Sequence, residues 1–303
     1  MTEPRKRYES DHWIRSRDPE KALAAYLDQQ SKAYSRVKNG HIRELLGDLR
    51  GKRFLDYGCG GGMFTVHAAT QGAALVVGVD AEETVLSTAR HFARKEGVER
   101  LCSFVTSETF PTFPPRVRFD AVLIKDVIEH VQDDQSLLDA AAEVMAPGAV
   151  LVVSSQNALS LNFLIEGAYH RLLRGDRSWC GWDSTHLRFY TPFALRRKLE
   201  RAGLRAVGWR SAYIVPYKLP ALPGSGKQFL RIDSLSWLDR TLGKVFPFNL
   251  VGWNVAVKAE TPRLAADGVK SARAAKKEPA RLATISPATL RAPRGAAPHT
   301  PHH

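Results

Sequence analysis

The sequence predicts an α/β fold: a doubly wound, seven-stranded, mostly parallel sheet with helical insertions. Two observations predict it. From residue 53 onward short apolar runs alternate with amphipathic stretches of helical length, the pattern of a sheet covered by helices on both faces. The first run, Phe54-Leu55-Asp56, breaks into Tyr57-Gly58-Cys59-Gly60-Gly61-Gly62, as expected where a strand turns into a helix against a ligand. Glycines there accept positive φ, let backbone approach the ligand and leave the next helix N-terminus to offer free N–H donors.

Strands are expected at 53–57, 75–80, 101–106, 119–125, 150–155, 206–215 and 251–259. Helices are expected between them, at 81–96, at 134–145 stopped by Ala146-Pro147-Gly148, and at 192–202 capped by Thr191 and ended by Gly203. Ahead of the first strand, apolar positions between Lys21 and Leu49 predict two helices, with 34–38 between them reaching over the ligand, so that 1–50 forms a helical lid. The core domain is then 51–260, interrupted by insertions at 157–190 and 216–250. The second insertion carries an amphipathic stretch with Phe229, Leu230, Ile232, Leu235, Trp237, Leu238 and Leu242, which fits a lid, a dimer face or a membrane-surface helix. The remaining segment, 261–303, is rich in Ala, Pro, Lys and Arg and reads as a basic disordered tail.

Composition narrows the classes. The net charge is +13, of which the tail supplies +6 from eight Lys/Arg against Asp267 and Glu278. No apolar run approaches the roughly 18 residues of a membrane span. The basic start lacks the apolar segment of a signal peptide, so a cytoplasmic protein is expected, with peripheral contact at the inner face of the membrane as its further option. Three scattered cysteines, Cys59, Cys102 and Cys180, suggest reduced thiols rather than a disulfide framework or a zinc site.

The spacing around the glycine loop excludes two ligand classes. A dinucleotide fingerprint begun at Gly58 needs glycine at position 63, which is Met63, and the G-K-[ST] of a phosphate-binding loop is absent. The run is instead D-x-G-x-G-x-G, from Asp56 to Gly62, and Asp80 closes the second apolar run eighteen positions later. A carboxylate at the end of the second strand suits a ribose diol, since it accepts from two hydroxyls. The fourth strand leads into Lys125-Asp126-Val127-Ile128-Glu129-His130-Val131, at the carboxyl end where open α/β sheets hold their ligands.

This set resembles class I S-adenosylmethionine (SAM) methyltransferases of the Rossmann-like fold. Within them it is similar, over 38–213, to small-molecule enzymes of the ubiquinone-biosynthesis O-methyltransferase type. Motif by motif, the likeness rests on 51–56, the glycine loop, Glu129-His130-Val131, Pro147-Gly148 and 154–157. It implies a SAM site built from Asp56, Gly58, Gly60, Gly62, Asp80, Ala81 and Lys125, with the methionine end over the glycines and the ribose at Asp80. Lys38 matches a basic position that meets the SAM carboxylate in the family, and Ser107 and Glu108 fall where the family reads the adenine.

The stretch 183–191 resembles a D-x-T-H-x-R-F-Y-T segment of bacterial small-molecule methyltransferases, which offers His186, Arg188 and Tyr190 to the acceptor. His186 and Arg188 read equally as groups that hold the insertion to the core. His130 suits a base for a hydroxyl acceptor, or a local cap of its turn. A metal held by Asp126, Glu129 and His130 is set aside because such near neighbours do not converge, so no metal is expected.

The expected reaction is methyl transfer from SAM to a small molecule, at an oxygen of a phenolic, quinol-like or lipid-linked acceptor. Two alternatives stand beside it: methylation of RNA or protein recruited by basic patches, and a non-catalytic SAM-binding partner. Absence of the D/N-P-P-Y segment used on nucleobase amines counts against nucleic acid.

Overall fold

A computed structural model describes residues 12–177, 179, 185–215, 218–220, 229–231 and 233–263. The tail expected beyond 263, the Asp183-Ser184 start of the acceptor motif and Cys180 lie outside these residues. Seven strands form one sheet: β1 Arg53–Tyr57, β2 Leu75–Asp80, β3 Cys102–Thr106, β4 Phe119–Lys125, β5 Met145–Gln156, β6 Arg205–Ala212 and β7 Asn254–Glu260, in the order β3-β2-β1-β4-β5-β7-β6. β1 to β5 run parallel, and β7 is antiparallel to both β5 and β6. The order reverses between β1 and β4, which opens a crevice at their carboxyl ends.

Successive strand residues serve opposite faces. Phe54 and Val76 pack with Ile42, Leu45 and Phe64 on one side. Leu55 and Val77 pack with Leu138 and Leu195 on the other. Both layers are fully buried, which explains why the strands read as continuous apolar runs rather than as alternating ones.

The helices are α1 Pro19–Ser31, α2 Ala33–Leu46, α3 Met63–Thr70, α4 Glu83–Lys95, α5 Asp134–Glu143, α6 Leu161–Ala168, α7 Pro192–Arg201 and α8 Ser236–Leu242. Asp18 and Thr191 cap α1 and α7 with their side chains. Three sequence expectations shift. The stretch 34–38 is the start of α2 rather than a link, because the chain breaks once, at the extended Lys32 (φ −60°, ψ 147°). Ala146-Pro147-Gly148 does not precede β5 but bulges within it: the register passes from Phe119↔Met145 to Ala121↔Val150, and Gly148 takes φ 74°. Among the described residues of the second insertion only Ser236–Leu242 is α-helical, while Phe229–Arg231 pairs with Lys218–Pro220 in a two-stranded ribbon. Among the described residues no helix is long and apolar enough to cross a membrane.

Candidate functional site

The glycine loop is fastened to β2. The amides of Gly58 and Cys59 both donate to the Val79 carbonyl, at 2.8 and 2.9 Å, and Gly58, Gly60 and Gly62 all take positive φ. A Cβ at Gly58 would sit 2.2 Å from Val127 Cγ2, and one at Gly61 2.7 Å from the Tyr26 ring. A side chain at either position would have to displace Val127 or Tyr26. The start of α3 is not a bare donor array, since Tyr26 of α1 lies on the loop and its hydroxyl accepts from the Met63 amide at 3.3 Å. Asp80 accepts from the amides of Gly60 (2.9 Å) and Glu82 (3.2 Å), and burial raises its carboxyl pKa.

Two cavities of about 310 and 300 Å³ adjoin the loop and share Gly58 and Asp126. Asp56, Gly60 and Lys125 line the first, roofed by Trp13 and Tyr26. Asp80, Ala81, Ser107, Glu108 and His130 line the second. Gly62 stands behind the first cavity, where its missing side chain admits Ala89 of α4. The Asp56 carboxylate accepts from Thr65 Oγ1 at 2.7 Å, and burial pushes its pKa up to about 6.

At the end of β4 the chain turns through Asp126 in the left-handed region, φ 53°. Four elements meet on its carboxylate: Lys38 Nζ of α2 at 2.5 Å, Lys125 Nζ of β4 at 3.0 Å, Ser154 Oγ of β5 at 3.0 Å and Asn254 Nδ2 of β7 at 3.0 Å. Burial alone would raise this carboxyl, but the two ammonium groups hold it well below the usual carboxylate range. Lys38 is therefore placed on Asp126, and the cluster of two cations and one anion leaves a positive excess beside the first cavity.

Beyond that turn, Glu129, His130 and His186 bring one donor atom each to within 4.8 Å of one another. The His130 Nδ1 faces the Thr185 carbonyl at 3.1 Å. The Thr185 hydroxyl lies 3.2 Å from the same nitrogen and can serve either tautomer; the carbonyl is satisfied only by the one that carries its proton on Nδ1 and its lone pair on Nε2. Glu129 is wholly buried; its Oε2 accepts from Ser155 Oγ at 3.0 Å and its Oε1 has no hydrogen-bond partner. Burial, then the charge of Asp126, pushes its pKa up to about 8. Arg188 and Tyr190, offered to the acceptor by the sequence, are instead held by Asp134 of α5: Arg188 Nη1 at 2.9 Å and the Tyr190 hydroxyl at 2.5 Å. Lys198 completes that cluster at 2.7 Å.

Residues 29–208 match the family model described as methyltransferase domain. The chain belongs to this family. The methyltransferase is 34% identical over 197 residues to a ubiquinone biosynthesis O-methyltransferase of Bordetella bronchiseptica, covering 62% of this chain and 79% of the relative. It is 36% identical over 164 residues to the protein of that name from Dinoroseobacter shibae, covering 52% and 62%. Among solved structures it shares its fold with a Haloferax volcanii methyltransferase determined in complex with a methyltransferase activator. The TM-score is 0.54 at 15% identity, over 81% of this chain and 98% of that one.

It is a SAM-dependent enzyme, and the site fits that cofactor. A Cβ at Gly58 would meet Val127, a half-buried carboxylate ends β2, and paired cavities meet at Asp126. Around the site stand residues that the sequence reading left out of it. Glu129 stood in the quoted motif but adjoins His130 in sequence, so its burial close to both His130 and His186 was not readable from spacing. Tyr26 and Asp134 gave no signal beyond their own helices.

Proposed function

We propose that the enzyme methylates an oxygen of a small phenolic, quinol-like or lipid-linked molecule. The observation that carries this reading is the meeting of His130, His186 and the buried Glu129 beside the second cavity. SAM, when bound, supplies a methyl group on a positively charged sulfur. An acceptor hydroxyl attacking that carbon must lose its proton, and His130, in the tautomer that keeps its lone pair on Nε2, takes it. His186 lies tilted against it with ring centroids 4.8 Å apart, and a Glu129 carboxyl oxygen lies within 4.8 Å of a nitrogen of each ring. Lys38 and Lys125 offer their excess charge to the cofactor carboxylate, while Ser107 and Glu108 flank the adenosine end. The described part of the N-terminal segment, 12–50, acts as the lid, with Trp13 and Tyr26 over the first cavity excluding water. The names of the two relatives support the acceptor class.

Incubation of a metabolite or lipid extract with deuteromethyl SAM, read by mass spectrometry, tests the proposal. The expected result is a labelled product whose formation falls by about a hundredfold or more in His130→Ala. Retained binding of the demethylated cofactor would separate that loss from misfolding. Undiminished transfer in both His130→Ala and His186→Ala overturns it.

A second reading rests on the same trio. Two imidazoles and a carboxyl oxygen without a partner suit a divalent cation, which would lower the acceptor pKa directly. Here the set differs from the one the sequence raised, because Asp126 is taken by lysines and His186 fills its place. Loss of transfer in chelator, restored by magnesium or zinc, selects this reading; indifference to chelator selects the base.

A further inference from the structure

Two buried polar atoms on the α2 side of the sheet have no hydrogen-bond partner among the described residues. Val150 and Val152 of β5 and Ala256 of β7 pack with Ile42 and Leu45 of α2, so Ser154, Gln156 and Asn254, which continue the same alternation, face α2 as well. Ser154 Oγ and Asn254 Nδ2 both bond Asp126. Gln156 stands opposite Asn254 in the register, and its buried Oε1 is the first unpaired atom. On the helix, Tyr34 lies one turn before Lys38, whose ammonium sits 5.0 Å from the centre of the Tyr34 ring and also bonds Asp126. The buried Tyr34 hydroxyl is the second unpaired atom. Burial, then the charges of Asp126 and Glu129, holds it well above the usual tyrosine range, so it stays an O–H donor. A buried polar atom left unpaired is costly, and the fold keeps two of them beside one cluster.

We propose that Tyr34 and Gln156 are specificity-determining residues that bind a polar substituent of the acceptor, one that both donates and accepts hydrogen bonds, such as a hydroxyl or a carboxamide. Tyr34 supplies a donor and Gln156 Oε1 an acceptor, and a group carrying both functions satisfies the pair. This group is distinct from the hydroxyl that receives the methyl. Ser155, next to Gln156, turns to the opposite face and bonds Glu129, which lies with His130 and His186. The pair and the proposed base therefore flank the end of β5 from its two sides. An acceptor lying across that end presents one group to each.

Tyr213 covers the Tyr34 side. It follows β6, takes φ 63°, and lays its ring edge-on to Tyr34 with centroids 5.5 Å apart. Asp239 of α8 fixes this corner by accepting from the amides of Tyr213 and Ile214 at 2.5 and 3.0 Å. A tyrosine in the left-handed region is strained, and such strain collects where ligands are clamped. An acceptor that turns this ring aside meets both unpaired atoms. Only the identity of the bound molecule as a methyl acceptor rests on the function proposed above.

The test is titration of the full chain, with the demethylated cofactor bound and NMR as readout, by cresols and by hydroxybenzyl alcohols and hydroxybenzamides of the same substitution patterns. These probes share one phenolic hydroxyl and differ in the second group. At least one polar-substituted phenol is expected to bind about tenfold tighter than its cresol, and Tyr34→Phe/Gln156→Leu should close that gap while leaving the cresol within about twofold. Since each substitution deletes a buried atom without a partner, the double variant should unfold in urea at or above the wild-type midpoint. A preference missing from the wild type, or surviving in the double variant, overturns the proposal. So does a double variant that unfolds below the wild type, which would give these atoms partners within the fold. His130→Ala should keep the preference while losing methyl transfer, so the two readings fail separately: transfer can be absent while the preference stands, and the preference can be absent while transfer to the cresols stands.

Discussion

Lys38 and Asp126 lie 88 residues apart in the chain, yet their side chains meet at 2.5 Å and tie α2 to the end of β4 at the point where the two cavities join. Lys125 shares the same carboxylate oxygen. Removing one cation leaves Asp126 still paired, but removing the anion leaves the buried Lys38 and the half-buried Lys125 face to face. Lys38→Met is therefore expected to cost about 1–2 kcal/mol, and Asp126→Ala about 3–5 kcal/mol, in urea unfolding. Lys38→Met should also weaken cofactor binding, measured by titration calorimetry. Equal destabilisation by the two variants would contradict the shared-anion account.

Gly58 tests the loop. Alanine there must hold φ 76° and place its Cβ against Val127 Cγ2. Left-handed backbone costs about 1–2 kcal/mol for a residue with a side chain, and each 1.4 kcal/mol passed on to the binding site is about tenfold in affinity. Gly58→Ala should lose cofactor affinity, and adding Val127→Ala should recover part of it, the part due to the clash. A double variant no better than the single one would show that backbone strain alone matters.

Tyr190 and Arg188 separate acceptor binding from scaffold. Their partner Asp134 also holds Lys198, so the cluster clamps the end of the first insertion to α5 and α7. Tyr190→Phe should lower stability by about 1–2 kcal/mol while leaving KM for the acceptor within about twofold. A raised KM with unchanged stability would return Tyr190 to the acceptor site.

Much of this was legible in the sequence because it depends on local patterns. Phe54 and Leu55 belong to opposite buried layers, and a strand covered on both faces is what an unbroken apolar run announces. Asp80 ends β2 where its spacing from the glycines placed it. What depends on distant segments was not legible. The bulge at Gly148 arises from pairing with β4 and from Ala149 donating to Thr261 Oγ1, 112 residues on. The tyrosine over the α3 N-terminus and the lysine on Asp126 each require knowing which element lies next to which.

Glu129 makes stability depend on pH in a stated direction. Its ordinary pKa of 4.5 is pushed up to about 8 in the fold. Between those values the folded chain keeps a proton that the unfolded chain has released. The contribution is thus complete below 4.5 and is lost as pH rises through 8. Asp56 and Asp239, both raised to about 6, act in the same direction, but their share is spent near that pH. His41, lowered by burial from 6.5, acts oppositely and only below that value. The window between about 6.5 and 8 therefore belongs to Glu129 among these groups, with a limiting slope of about 1.4 kcal/mol per pH unit. Urea unfolding of the wild type across this window should show stability falling, and Glu129→Gln, which carries no titrating proton, should flatten the curve. Parallel curves for the two proteins would mean that Glu129 is already ionised in the folded enzyme, and with that the picture of a buried, neutral carboxyl behind His130 and His186 would fail.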